Sequence, residues 1–392
     1  MAKVEIRPSH RMDCIKEYYF SKKNREIAEL RKQGRDIISL GIGSPDMPPH
    51  QRVIDRLASE AQRPNVHAYQ PYNGSELLRE AYAAWYEKWY NVKLNPKTEI
   101  LPLLGSKEGI MHICMAFLDA GDKVLVPNPG YPTYRAAVTL AGGEVLEYHL
   151  NESTDFYPDF EAIEKQDLSK VKLMFVNYPN MPTGTLPTVA LFEKLVAFAQ
   201  KHNILLVHDN PYSFVRNNLQ LSLLSIPGAW DVAIEMNSTS KGHSMAGWRV
   251  GVVVGRSEWI ADILRFKSNM DSGMFFPVQA AAAEALALGN EWFDELNATY
   301  YAREAEGYAL LDALGCEYRK NQAGLFVWAK IPATFEGDCF AFSDKVLEEC
   351  DVFVTPGGIF GSEGEHYIRI SLCMPKERLA EAAERVKCRF TK

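Results

Sequence analysis

Residues 203–212 read NILLVHDNPY: four consecutive apolar residues, Ile204 to Val207, run straight into His208, Asp209, Asn210, Pro211 and Tyr212. A short apolar run bounded by turn formers reads as a strand buried on both faces, as inside a parallel sheet. A carboxylate at the end of such a strand loses water at a cost, so Asp209 needs a cation or several donors beside it. Working outward, the same layout recurs. EILPLL (99–104), DKVLV (122–126), KLMFV (172–176), DVAIEM (231–236) and RVGVVVG (249–255) are apolar runs, and intervening segments such as TVALFEKLVAFAQKHN (188–203) carry helical spacing. This alternation predicts an α/β fold with a mostly parallel sheet between helices.

An Ala-rich helix (278–288) breaks at Gly289-Asn290, and a long helical pattern from Glu291 to Leu314 is closed by Gly315, placed as a C-terminal cap. GLFVWAKI (324–331), VFVTP (352–356), YIRISL (367–372) and a charged final helix then predict a second, smaller α/β domain. The expected division is residues 1–45 as an N-terminal arm and part of the small domain, 46–289 as a large domain, and 290–392 as the small C-terminal domain. In LLREAYAAWYEKWY (77–90), Leu78, Tyr82, Trp85 and Trp89 share one helix face and read as core or interface.

Composition narrows the function. A net charge of −7 argues against nucleic acid or an anionic membrane surface as the main partner. No apolar stretch of signal or spanning type occurs, so the chain reads as a soluble cytoplasmic protein. Seven scattered cysteines without a C-x-x-C pair argue against a zinc cluster or disulfide framework, and His112, His208 and His243 lack metal-ligand spacing, so no metal is expected.

In open α/β sheets ligands bind beyond the carboxyl ends of the strands, and here those ends carry the chemistry. LPLL leads to Gly105, Ser106, Lys107, Glu108 and Gly109; KVLV to PNPGYP with Tyr131; LMFV to NYPNMPTG with Asn180; ILLV to HDNPY; VAIEM to NSTSK with Ser238 and Lys241. Five such mouths predict one site.

Lys241 admits two readings. Ser238-Thr239-Ser240-Lys241 matches S-x-x-K, the pattern of a serine acyl-enzyme, but the companion S-D-N and K-T-G motifs are missing. The other reading makes Lys241 the amine that forms a Schiff base with an aldehyde cofactor. A phosphate-bearing pyridine aldehyde needs hydroxyls and a fixed cation for its phosphate, an aromatic plate for its ring and an anion for its ring nitrogen. The strand ends supply each.

At this point the chain resembles the fold-type I pyridoxal-phosphate enzymes of the class I/II aminotransferase family. GIGSPD, YQPYNG, GSKEG, NPGYPTY, NYPNMPTG, HDNPYS, STSKGHSMAGWRVG, PGGIFG and YIRISL occur in the family's order across nearly the whole chain. The resemblance implies an aspartate-aminotransferase-like fold, with pyridoxal 5′-phosphate in the large domain and amino and 2-oxo acids as substrates. It is nearest the branch of LL-diaminopimelate and aspartate aminotransferases, which implies a dicarboxylic or LL-diaminopimelate-like donor; a C–S lyase or decarboxylase outcome stays open on this scaffold.

By the same resemblance Lys241 holds the cofactor and carries a proton, and Asp209 pairs with the ring nitrogen. Tyr212 donates to the phenolic oxygen and Tyr131 stacks on the ring. Gly105, Ser106, Lys107, Ser238 and Arg249 surround the phosphate, and Tyr69 reaches it from a second subunit, which implies a homodimer. Arg369, assisted by Gly43, holds the substrate carboxylate. One position departs from the pattern: Met181 stands where the family has an asparagine that donates to the phenolic oxygen. Either Asn180 takes over that role or Tyr212 acts alone.

Overall fold

The computed structural model describes residues 5–15 and 17–390. Helix α1 (Tyr19–Lys32) is followed by a short strand β1 (Ile38–Ser39), then α2 (Gln51–Ala61) and α3 (Glu76–Tyr90). Strands and helices then alternate through β2 (Ile100–Leu103), α4 (Ser106–Phe117), β3 (Lys123–Asn128), α5 (Pro132–Leu140), β4 (Glu144–His149), α6 (Phe160–Glu164), β5 (Val171–Val176) and α7 (Val189–His202). Next come β6 (Leu205–Asp209), β7 (Ala233–Ser238), β8 (Gly251–Val254), α8 (Ser257–Lys267) and α9 (Phe276–Leu286). The chain continues with α10 (Asn290–Leu314), β9 (Glu317–Tyr318), β10 (Phe326–Lys330), α11 (Cys339–Cys350), β11 (Val352–Phe353), β12 (Thr355–Pro356), β13 (Tyr367–Ser371) and α12 (Lys376–Arg389).

Seven strands form one sheet in the order β2-β8-β7-β6-β5-β3-β4. The β4-β3-β5-β6-β7 pairings are parallel, and β8 runs antiparallel to both β7 and β2. The apolar runs quoted above are buried throughout the middle of this sheet, as parallel strands covered on both faces must be. Local chemistry sets the helix ends. Thr188 caps α7 by accepting from the Leu191 amide, and Asn203 ends it in the left-handed conformation, freeing the chain to enter β6. Gly315 ends α10 at φ 73°, as its position in the sequence predicts.

A second sheet, β12-β13-β10-β9, is antiparallel, and β1 pairs with β11 beside it. The N-terminal segment is thereby fastened to the C-terminal part of the chain. Of the aromatic stripe on α3, Leu78, Tyr82 and Trp85 are buried in the core and Trp89 packs against it. No helix among the described residues is long and apolar enough to cross a membrane.

Candidate active site

The carboxyl ends of β5, β6 and β7 open on one cavity of about 610 Å³. Ser106, Lys107, Tyr131, Asp209, Tyr212, Ser238, Lys241, Arg249, Arg369 and Gly43 all line it, although they are spread over more than 320 positions of sequence.

Asp209 closes β6 and is 5% exposed. Its Oδ2 accepts a hydrogen bond from the Tyr134 hydroxyl at 2.8 Å, while Oδ1 is buried without a partner. Burial pushes this carboxyl up to about 6, opposed by the Tyr134 hydrogen bond and by the charges of His208 and Lys241. The Lys241 amine donates to the Gly43 carbonyl at 2.6 Å, and burial lowers it from the ordinary lysine range. Gly43 has no room for a side chain: a Cβ there would lie 2.0 Å from the Phe326 ring.

At one end of the cavity α4 presents its N-terminus, where the first amides lack intrahelical partners and favour an anion. Gly105 precedes this helix at φ 88°, and a Cβ there would lie 2.0 Å from Arg249 Nη2. Glycine at 105 thus lets the guanidinium lie against the turn. Arg249 itself adopts φ 58° and donates from Nη1 to the Ala246 carbonyl at 2.8 Å. Ser238, the last residue of β7, adds a hydroxyl. Lys107 lies 4.9 Å over the ring of Tyr18, with its amine lowered first by burial and then by Arg249.

At the other end stands Arg369 on β13. It is buried, its guanidinium is 3.7 Å from the ring centre of Phe326 and 4.6 Å from that of Phe360, and burial lowers it to about 10. Nη2 donates to the Gly41 carbonyl at 2.8 Å, and Nε has no partner.

Three expected residues stand apart from the cavity wall. Gly105 acts from behind Arg249, as described. Tyr69 is 90% exposed and lies outside the cavity. Asn180 is turned inward: its Nδ2 donates to the Asn177 carbonyl at 3.1 Å and its Oδ1 accepts from the Thr183 hydroxyl at 2.7 Å. Its oxygen and one of its amide hydrogens are thus engaged within the turn, away from the cavity wall. Met181 and Tyr212 both line the cavity.

Other contributors escaped the sequence reading. Tyr134 falls one turn after Tyr131 on α5, a spacing that would have paired them. Asn177 donates to the Asp209 carbonyl at 2.6 Å and accepts from the Met181 amide at 2.8 Å. Tyr18, Phe20, Ser21 and Asn24 bring the start of α1 to the cavity wall, a placement with no local signal in the sequence. The fold also gathers Glu108, His112 and Asp271, with ligand atoms within 4.8 Å of one another, but the buried ammonium of Lys267 pairs with Asp271, so the cation there is the protein's own.

Comparison with known proteins agrees with this geometry. The family model described as aminotransferase class I and II matches residues 35–386. The chain is 44% identical over 379 residues to the LL-diaminopimelate aminotransferase of Oleidesulfovibrio alaskensis, covering 96% of this chain and 97% of that one. It is 41% identical over 387 residues to the protein of the same name from Moorella thermoacetica, covering 97% and 98%. Among solved structures, substrate-bound BacF from Bacillus subtilis superposes with a TM-score of 0.93 at 39% identity, covering 98% of both chains. The aspartate aminotransferase of Thermus thermophilus with maleate gives 0.90 at 27% identity, covering 98% and 99%.

Proposed function

Because the chain belongs to the class I and II aminotransferases, enzymes that move an amino group between amino and 2-oxo acids with pyridoxal 5′-phosphate, we propose that this transfer takes place in the cavity between Lys241, Asp209 and Arg369. One observation carries the reading. Asp209, whose buried Oδ1 has no partner, lines the same cavity as a half-buried lysine amine and an incompletely satisfied guanidinium.

The residues suit the cofactor: the orphan oxygen lacks a donor that a protonated ring nitrogen provides, and the N-terminus of α4 with Arg249 and Ser238 suits a phosphate. Bound there, pyridoxal phosphate supplies an aldehyde to take up the amino group and an electron-withdrawing ring beside the carbon that loses a proton.

Lys241 is the attachment point and the proton carrier. Its lowered amine is poised to accept a proton from the amino acid's α-carbon, and the Gly43 carbonyl receives the amine when it is disengaged. Asp209 holds the proton on the ring nitrogen through Oδ1, and Tyr134 fixes the carboxylate from the other oxygen. Ser106, Lys107, Ser238 and Arg249 hold the phosphate, Gly105 making room for Arg249. Tyr131 covers the ring and Tyr212 donates to its phenolic oxygen. Arg369 clamps the α-carboxylate, a task suited to a rigid planar fork with free donors.

For the donor we propose an LL-diaminopimelate-like or dicarboxylic amino acid. The names of the relatives at 44% and 41% identity support this, as do Ser21 and Asn24, which add polar groups to the wall contributed by α1. A homodimer follows from Tyr69. Its loop passes close to Gly273, where a Cβ would be 2.6 Å from the Gln70 carbonyl, and exposed Tyr72 and Phe275 lie in the same segments. In the assembly Tyr69 of the partner subunit would reach the phosphate end. The proposed division of the chain at residues 45 and 289 is supported by the confinement of the seven-stranded sheet to residues 100–254 and by the β1-β11 pairing.

The test is a panel of donors, LL-diaminopimelate, aspartate, alanine, methionine and tyrosine, with 2-oxoglutarate as acceptor and glutamate as the product measured. LL-diaminopimelate or aspartate should react fastest. A preference for tyrosine or methionine would overturn the donor, and pyruvate with a thiol, or carbon dioxide, in place of glutamate would overturn the reaction.

A further inference from the structure

Behind Asp209 lies a buried pair that the mechanism above leaves unused. His208 on β6 and Glu235 on β7 face each other in the sheet register, and both are fully buried. His208 Nδ1 is 2.7 Å from Glu235 Oε2, and its Nε2 is 2.9 Å from the carbonyl oxygen of Tyr178. The same Oε2 accepts from the Ser222 hydroxyl at 2.9 Å and the Leu223 amide at 3.0 Å. Two donors, besides the His208 contact, converge on that oxygen, as suits an ionised carboxylate, which only accepts, while Oε1 is buried without a hydrogen-bond partner.

That arrangement decides the state of the imidazole. Beside an ionised Glu235, a neutral ring, with one N–H and one lone pair, would leave one of its nitrogens facing an acceptor with no proton between them. An imidazolium donates from both. The Phe192 ring meets it edge-on at 5.1 Å between centres and offers no competing polar group.

The pair also ties down the end of β6. His208 bonds forward to the Tyr178 carbonyl while Asn177 bonds back to the Asp209 carbonyl at 2.6 Å, so residues 177–178 and 208–209 are cross-linked in both directions. Because side chains alternate along a strand, His208 points away from the side that carries the Asp209 carboxylate and does not line the cavity. Its charge is nonetheless among those that oppose the effect of burial on Asp209.

We propose that His208 is a positioning residue: an imidazolium locked between Glu235 and the Tyr178 carbonyl that keeps Asp209 ionised and in place for the cofactor's ring nitrogen. It rests on the role given to Asp209 above.

Nitrogen-15 NMR of histidine-labelled protein without cofactor, with His208 assigned by its loss in a variant, reads the ring directly. Both ring nitrogens should carry protons at neutral pH; a singly protonated ring overturns the proposal. His208→Asn puts an amide nitrogen where Nδ1 stands and His208→Gln puts one where Nε2 stands, so each keeps one bond and neither keeps the charge. Each is combined with Glu235→Gln so that no lone charge stays buried.

Groups that orient a metal's ligands from behind are worth about tenfold or more in affinity, and a loss of the same order is expected here. The dissociation constant for pyridoxal phosphate, read by quenching of tryptophan fluorescence in the unloaded protein, should therefore rise about tenfold in both double variants. Wild-type affinity in both overturns the proposal. A loss confined to the His208→Asn pair would make the Tyr178 bond the whole effect and overturn the role of the charge. Asp209→Asn serves as the reference: if it binds cofactor as wild type does, the Asp209 reading fails, whereas a loss there with none in the His208 pairs overturns this proposal alone.

Discussion

Arg369 directs Nη1 at the thioether sulfur of Met181, 3.2 Å away. Sulfur is a weak acceptor, and Nε of the same guanidinium has no partner, so a buried cation sits in the cavity wall with much of its hydrogen-bonding capacity unspent. Phe326 and Phe360 fix its plane. Such a fork is prepared for a carboxylate.

Arg369→Lys keeps a charge but loses the fork and the stacking on Phe326. Charge-assisted pairs are worth up to about 3 kcal/mol, so kcat/KM for the amino acid should fall about 100-fold. Steady-state kinetics with donor varied checks this, and the loss should be seen for every donor because the α-carboxylate is common to all.

Met181→Asn places an amide where the thioether stands. An N–H toward the cofactor's phenolic oxygen favours its ionised form, so the pH at which the absorbance of the loaded protein changes should move down. A spectral titration of both proteins reads the shift. Identical curves would mean that position 181 does not face that oxygen.

Asp209 costs the unloaded protein stability. Its carboxyl stands at about 6 when folded, against 3.8 for an ordinary aspartate, so the folded chain holds the proton more firmly between those values. Stability therefore falls as pH rises through that window, by about 3 kcal/mol in all, and the cost is complete above it. Unloaded Asp209→Asn should melt higher than wild type at neutral pH, with the advantage fading as the pH is lowered toward about 4. Thermal unfolding across that range checks the sign.

Gly105→Ala forces a Cβ against Arg249 Nη2 at a backbone angle that disfavours a side chain. The guanidinium must move, and the affinity for pyridoxal phosphate should drop about tenfold, the value of one charge-assisted contact. Pyridoxal without the phosphate should bind the two proteins alike, which separates a phosphate effect from a general loss of shape.

Much of this arrangement was legible in the sequence because strand ends announce themselves. A buried run such as Ile204–Val207 followed by Asp209 has few explanations, and five such ends in one sheet have fewer still. Direction was not legible: Gly251–Val254 is as apolar as its neighbours, and apolarity is the same whether a strand runs parallel or antiparallel. Glu144–His149 was missed because an edge strand, half-covered, alternates charge with apolar residues and has no continuous run. Tyr18, Ser21 and Asn24 reach the cavity only through the tertiary path of α1, and the engagement of Asn180 with Asn177 and Thr183 depends on the turn it occupies, which no local pattern announces.

The central claim is that Lys241 carries the cofactor. Borohydride reduction of the loaded protein, followed by peptide mass mapping, should place one phosphopyridoxyl group on the peptide containing Lys241, and Lys241→Ala should show none there. Label on Lys107 or another lysine in place of Lys241, or an unlabelled Lys241 peptide in the coloured protein, would contradict the account.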